Sequence, residues 1–480
     1  MHSNKSFPLL FLHRSIFIIF ALWIFVTFAS LDNIPWFGDY YNVWRAGQIV
    51  ILILASIGFL LLPKRSLLLH SKLILFTASA ALCYFLAYFI GTQNTTSFLT
   101  ISLNILLIIS IAYFAITFTL DFPWHEKILT LIAFMPIPAI IYFFTGIIIQ
   151  FFDPTYTDHG HNHFANIRYF NDALLPALLI LWLRPSFLAQ PKYNKIIAIL
   201  SILYLYIFLS DGARAIMLAF TLAFAAILLF DCSRKSTIKM PFIYLVGTIL
   251  LFYSLEYIAL LINSGTSLDN LELSRSSSSG RIDLYIHSLK SFIQNPISGL
   301  GVANFTLPTD TPIFHGQGHP HNLILMWLSE MGILGLILTL LLSIASLKLF
   351  IIRKKLPAWG WVGIFMLLAN GMLSGALVYP FSQMLALLLV TYVYAQYRQT
   401  EANTKLPDSA YKYTLIGILC SKAMLIFAMP ILIITTYWIY PYLINMPMNH
   451  KDVILDDTLI YRAQGPSTWQ ANPIMNFPKE

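Results

Sequence analysis

Runs of about 17 to 25 apolar residues recur along the whole of this 480-residue chain, and short polar segments separate most of them. Helices of that length are what a hydrocarbon core of roughly 30 Å requires, and the alternating ten-residue pattern of a membrane barrel is absent. With 58% hydrophobic and 10% charged residues, the chain lacks the polar surface to cover a soluble globule of its size. The expected fold class is all-α: a polytopic membrane protein of about 12–13 transmembrane helices with one long loop between spans 9 and 10. The spans read as 15–31, 46–63, 71–91, 98–120, 128–152, 168–183, 196–209, 214–231, 241–263, 332–352, 359–378, 383–397 and 423–441. The chain thus divides into a bundle over 1–263, a polar loop over 264–331, a second bundle over 332–441 and a tail over 442–480.

A formal charge of +8 could suggest a nucleic-acid partner, but the basic residues gather in short loops at alternate ends of the spans. Lys64-Arg65, Arg184 to Lys195, Arg234 to Lys239, Arg353 to Lys355 and Arg398 to Lys412 all fall inside when the N-terminus is cytoplasmic. The long loop and the tail then lie on the outer face, which is the periplasm for a bacterial inner membrane. The run Ser15 to Ser30 carries no A-x-A cleavage pattern and is expected to be a retained first span. The last span is expected to begin after Lys422, leaving that ammonium to snorkel to the inner interface. Cys83, Cys232 and Cys420 sit in or at the inner ends of spans, so neither a disulfide framework nor a CxxC metal site is available.

Within the long loop, Ile282, Tyr285, Ile286, Leu289, Phe292 and Ile293 recur at helical spacing opposite Asp283, His287 and Lys290. An amphipathic surface helix of about fourteen residues is expected from Arg281, with Gly280 as its cap and Asn295-Pro296 ending it. A second short helix is expected from Asn322 to Met331, with the next span starting at Gly332. Arg281 occupies the first turn of its helix, where a cation costs a few tenths to about 1 kcal/mol against the helix dipole. An anion nearby would offset that cost.

Arg45, Arg168, Arg214 and Arg281 all lie at outer span ends. Singly, each reads as an interfacial arginine meeting lipid phosphate. Together, Arg168, Arg214 and Arg281 suit a diphosphate, because a guanidinium offers a planar fork of donors and keeps its charge. The histidines form two groups, His159, His161 and His163 in an outer turn, and His315, His319 and His321 in the long loop. HxH spacing without a cysteine or a clear carboxylate partner does not define a metal site, and no metal or other cofactor is expected. A neutral imidazole beside an arginine-held phosphate could instead serve as a general base toward a hydroxyl. His321 is the first candidate and His319 its rival, with Asp172, Asp211 or Glu330 available to orient a histidine or an arginine.

His321-Asn322, followed after nine residues by Gly332-x-x-Gly335, resembles the signature of the bacterial O-antigen ligase superfamily. That superfamily also includes O-antigen polymerases and protein O-oligosaccharyltransferases. Arg214-Ala-Ile-Met-Leu218 is similar to its second signature. Ser279-Gly-Arg-Ile-Asp283 with Asn295-Pro-Ile-Ser-Gly-Leu-Gly301 resembles the start of its large periplasmic loop. The resemblance implies a metal-independent glycosyltransferase of the membrane-helical type, moving a glycan from an undecaprenyl diphosphate carrier to an acceptor hydroxyl. It implies donor binding by Arg214, Arg281 and Arg168, catalysis by His321 or His319, and support from Asn322, Gly332, Gly335, Asp211 and Glu330. The acceptor would be the lipid A core, with an exported protein such as pilin or a second lipid-linked glycan as alternatives. A lipid-linked sugar transporter is the rival of a different class. Transporters, however, place ionisable groups near the midplane between inverted repeats, whereas here they collect at one face and no repeat is visible.

Overall fold

The computed structural model describes residues 7–29, 40–91, 95–153, 167–231, 234–262, 281–305, 319–401, 415–426, 428–430, 453–455 and 458–460. His159, His161, His163, His315, Cys232 and Gly280 lie outside the described residues.

The chain is a helical membrane bundle. Its first half comprises α1 (Phe7–Phe28), α2 (Tyr40–Leu60), the short α3 (Lys64–Leu69), α4 (Ser71–Ile90), α5 (Thr95–Leu120), α6 (Phe122–Phe134), α7 (Ile137–Phe152) and α8 (Ile167–Leu183). Its second half comprises α9 (Asn194–Ser210), α10 (Arg214–Phe230), α11 (Ser236–Ile262), α12 (Arg281–Gln294), α13 (Leu323–Met331), α14 (Ile333–Ile351), α15 (Ala358–Leu373) and α16 (Pro380–Thr400). Among the described residues, seven segments are long and apolar enough to cross a membrane, namely α1, α4, α5, α6 with α7, α9, α11 and α14. Trp44–Leu60, Arg214–Phe230, Ala358–Leu373 and Leu415–Pro430 are shorter apolar helices. Each of the first twelve expected spans falls on one of these helices, except that 128–152 falls on two. Pro136, which has no N–H to continue the ladder, separates α6 from α7.

The centre of the bundle is α8. From Phe170 to Leu183 every side chain is buried, and α6, α9, α15 and α16 pack around it. A helix apolar on all sides can satisfy itself only there. Polar bonds fix its neighbours, with the Trp182 indole donating to Ser201 Oγ (3.1 Å) and the Tyr204 hydroxyl to the Ala133 carbonyl (2.8 Å). At one end of the bundle the basic loops are tied together. Arg234 donates to the Leu356 and Lys354 carbonyls, and Arg398 to the Leu69 carbonyl (3.1 Å).

The final helix departs from expectation. It is already formed at Leu415, so Lys422 lies inside it, and Lys422 Nζ meets the Leu60 carbonyl at the end of α2 (3.4 Å). A helix C-terminus is an electrostatically favourable place for an ammonium, which removes the need for a later start. In the tail, Val453–Leu455 and Thr458–Ile460 pair as two short antiparallel strands that the reading of the sequence did not anticipate.

The long loop forms two helices, α12 over Arg281–Gln294 and α13 over Leu323–Met331, packed on each other. Asn295 to Phe305 locks them. The N–H groups of Leu300 and Gly301 donate to the Ser329 and Glu330 carbonyls (2.8 and 2.9 Å), satisfying acceptors that the end of α13 would otherwise leave open. The Ser97 hydroxyl holds the Val302 carbonyl (2.6 Å) and ties this turn to α5. Gly332 stands at φ +55°, and a Cβ there would lie 2.6 Å from the Ile297 carbonyl oxygen. A Cβ on Gly335 would strike the backbone of Trp327. The two glycines of Gly-x-x-Gly therefore let α13, α14 and the turn approach backbone to backbone. Gly332→Ala is expected to cost roughly 2–5 kcal/mol, combining left-handed strain with overpacking. It should appear as a lower melting temperature of the purified protein in detergent.

Candidate active site

At the end of the bundle opposite the tied basic loops, three helices start with an arginine in their first turn. Arg214 is the first residue of α10 and Arg281 of α12, and Arg168 is the second of α8. The α9–α10 connection shows how the sequence sets one of them. Gly212 takes φ +59°, its N–H bonds the Leu209 carbonyl (3.1 Å) and the Ala213 N–H bonds the Phe208 carbonyl (2.9 Å). This Schellman turn closes α9 and restarts the chain at Arg214 with no slack. Asn171 of α8 donates to Asp211 Oδ2 (2.9 Å) and fastens the turn to the central helix.

The charges of Arg168 and Arg214 reach Arg281. Burial, with the nearby Arg168 and Arg214 charges, lowers the Arg281 guanidinium from its usual value, although it stays protonated. Arg281 Nε has no hydrogen-bond partner among the described residues. Three cations at three positive helix ends oppose the helix dipoles, which makes this end of the molecule a candidate anion site.

His319 and His321 sit in the same field. His319 is fully buried, and its Nδ1 accepts the backbone N–H of His321 (3.0 Å). In the neutral ring the proton must then be on Nε2, which has no partner among the described residues. His319 is thus set up as a donor, its only lone pair being occupied. His321, 8% exposed, is held at φ +53°, a left-handed conformation a non-glycine residue seldom takes. Its ring lies 4.2 Å from that of His319, centre to centre. Burial above all, with the Arg281 charge, lowers His319 to about 3. Burial, then His319, Arg281 and Arg168, pushes His321 well below the usual imidazole value. Both rings are neutral near neutral pH, and the lone pair of His319 is the one occupied by the His321 N–H.

Two residues that sequence reasoning did not place among the site residues also stand here. The buried carboxylate of Asp172 accepts from Asn370 Nδ2 (2.7 Å) and from the Ser374 hydroxyl (3.2 and 3.3 Å), and its charge reaches Arg168 and Arg281. Tyr379 packs its ring 4.1 Å from Tyr169 and 6.0 Å from His319, and its hydroxyl acts on Arg281. Asp172 had been one of three acids able to orient a histidine or arginine; nothing local in sequence singles out Tyr379.

The expected supporting residues divide. Asn322 Oδ1 accepts the Leu325 N–H (3.0 Å) as the cap of α13, and its Nδ2 donates to the Met372 carbonyl (3.0 Å). It therefore fixes the residue that follows His321 in space. Glu330, Gly332 and Gly335 lie at the other end of α13, some 13 Å along the axis at 1.5 Å per residue. The Glu330 carboxyl there accepts the Ala303 and Phe305 N–H groups, which pull it down while burial pushes it up to about 8. It fastens the turn and does not orient the histidines. Among the described residues, no group of three His, Cys, Asp or Glu side chains could hold a metal ion.

Residues 199–340 match the family model described as O-antigen ligase. Over that stretch, which is less than half of the chain, the sequence is similar to the O-antigen ligase-like superfamily. The O-antigen ligase match includes Arg214, Arg281, His319, His321, Asn322 and both glycines, and stops short of Arg168, Asp172 and Tyr379. Neither the comparison with curated proteins nor that with solved structures returned a match. Members of this O-antigen ligase superfamily are glycosyltransferase-like enzymes.

The depressed imidazoles have a consequence for stability. Unfolded histidine titrates near 6.5, whereas folded His319 stays neutral to about 3, so the unfolded chain takes up the proton first. The stability is present in full above about pH 6.5 and is lost as pH falls toward the folded value. His319→Asn retains an acceptor for the His321 N–H without the titration. Between pH 7 and 4 it should lose about 3 kcal/mol less stability than the native protein in parallel detergent melts.

Proposed function

We propose that this chain transfers a glycan from an undecaprenyl diphosphate carrier to a hydroxyl of the lipid A core, on the periplasmic face of a bacterial inner membrane. The single observation that carries the proposal is that Arg168 and Arg281 act on the neutral, strained His321, while Arg214 acts on Arg281. The O-antigen ligase description of residues 199–340 supports glycan transfer of the ligase or polymerase type, with an exported protein or a second lipid-linked glycan as the alternative acceptors.

In this reading the three guanidiniums hold the diphosphate, and the charge that develops on it as it leaves is stabilised by groups already in place. The acceptor oxygen attacks C1 of the lipid-linked sugar and forms the new C1–O bond. The bond from C1 to the phosphate oxygen breaks, and its electron pair leaves with the diphosphate. The hydroxyl proton passes to His321. A single displacement of this kind inverts the configuration at C1. His319 would present its Nε2–H to the bound anion or acceptor. The lining of α8, α15 and Tyr379 restricts water, which would otherwise compete as acceptor. No step calls on a metal.

His321→Ala should lower transfer by about 10²–10⁴-fold, the usual contribution of a positioned base, while the protein still inserts and melts as the native form does. The assay is transfer of lipid-linked glycan to acceptor by the purified protein, read by mass. Activity at the native rate in that variant would remove His321 from the mechanism. Native activity in the presence of a strong chelator is also expected. Deleting the gene and weighing lipopolysaccharide, pilin and polymer should show the glycan missing from lipopolysaccharide alone.

A further inference from the structure

A cavity lies away from the arginine cluster. It is a groove of about 1060 Å³ between α4, α5, α14 and α16, walled mainly by leucine and isoleucine side chains. None of Arg168, Arg214, Arg281, His319 or His321 lines it. Toward the site it is closed by α13, whose Trp327 indole donates to the Tyr84 hydroxyl (2.8 Å). At its other end stand Lys72 of α4 and Lys348 of α14, close enough for the charge of one to act on the other. The nearby carboxylate, Glu401, is shared by Lys355 (3.2 Å) and Arg398 (3.7 Å), and neither Lys72 nor Lys348 has an ion-pair partner among the described residues. Two facing ammoniums at the mouth of an apolar groove attract an anion that carries its own apolar chains.

The depth of the groove selects among such anions. From Lys72 to Tyr84 along α4 is about 18 Å, and from Lys348 to Leu338 along α14 about 15 Å, at 1.5 Å per residue. Half of a hydrocarbon core of roughly 30 Å is about 15 Å, so the groove accommodates the chains of one leaflet. We infer that the groove is a seat for an anionic phospholipid of the leaflet opposite the active site, with its phosphate between Lys72 and Lys348 and its acyl chains reaching Tyr84 and Trp327. The lipid would support α14, whose 18-residue apolar window is only 17% buried by protein, and through it the Gly332–Gly335 contact that anchors α13. The inference stands apart from the proposed reaction, since none of its residues belongs to the arginine–histidine site.

Native mass spectrometry of the delipidated full chain, titrated with dioleoylphosphatidylglycerol, tests this directly. The native protein should hold one lipid tightly. Lys72→Ala/Lys348→Ala, which changes two exposed side chains, should hold it about thirty-fold more weakly, the effect of removing two lysine–headgroup attractions of roughly 1 kcal/mol each. Ala345→Trp, which fills the groove and keeps both lysines, should also lose the lipid. Equal retention by the double lysine variant, or equal binding of uncharged dioleoylglycerol by the native protein, would overturn the inference. Displacement of the lipid by millimolar inorganic phosphate would overturn it in favour of a soluble anion.

Discussion

Three guanidinium groups at the starts of three helices are the constraint around which this molecule is arranged. Each is on the unfavourable end of its helix dipole, and Arg281 is driven further from its usual value by burial and by the other two. The carboxylate of Asp172 is held by Asn370 and Ser374 and offers its charge to Arg168 and Arg281 from one side. Arginines gathered at helix starts suit an anion such as a diphosphate better than a neutral sugar.

Keeping such charges together requires a frame that cannot relax away from them. The Schellman turn at Gly212 fixes Arg214, and the buried helix α8 fixes Arg168. The long loop fixes Arg281 and His321 together, because α12 and α13 pack on each other and the turn from Asn295 to Phe305 locks the end of α13. The motif His321-Asn322 with Gly332-x-x-Gly335 therefore combines two jobs at two ends of one helix. At the first end Asn322 caps α13 and clamps the Met372 carbonyl, holding His321 left-handed against His319; at the second the glycines permit backbone contact with the turn.

Much of this was legible in the sequence wherever the signal was local. The amphipathic period from Arg281 to Gln294 and the short apolar run from Asn322 to Met331 gave helices within a residue of those observed. The arginines at span ends were readable as one face because span length and the alternation of basic loops determine which ends lie together. What depends on contacts far apart in sequence was not. Asp172 meets Asn370 across 198 positions, and Tyr379 reaches the site only because α8 and α16 are neighbours in the bundle. Glu330 looked like an orienting acid, yet the carboxyl faces backbone N–H groups of a turn that the helical pattern could not place. The sequence offers His321 first and His319 as its rival for the base, and it gives no sign of the bond from the His321 N–H to His319 Nδ1.

The central claim is that the arginine cluster is built for a diphosphate, and binding of the carrier alone tests it without any acceptor or sugar. Undecaprenyl diphosphate and undecaprenyl monophosphate should be titrated onto the native protein and onto Arg281→Ala in the same detergent. The account predicts that the native protein prefers the diphosphate and that Arg281→Ala loses about tenfold or more of the diphosphate affinity, the scale of one lost charge-assisted hydrogen bond, with a smaller loss for the monophosphate. Equal affinity of the native protein for the two carriers, unchanged in Arg281→Ala, would contradict it.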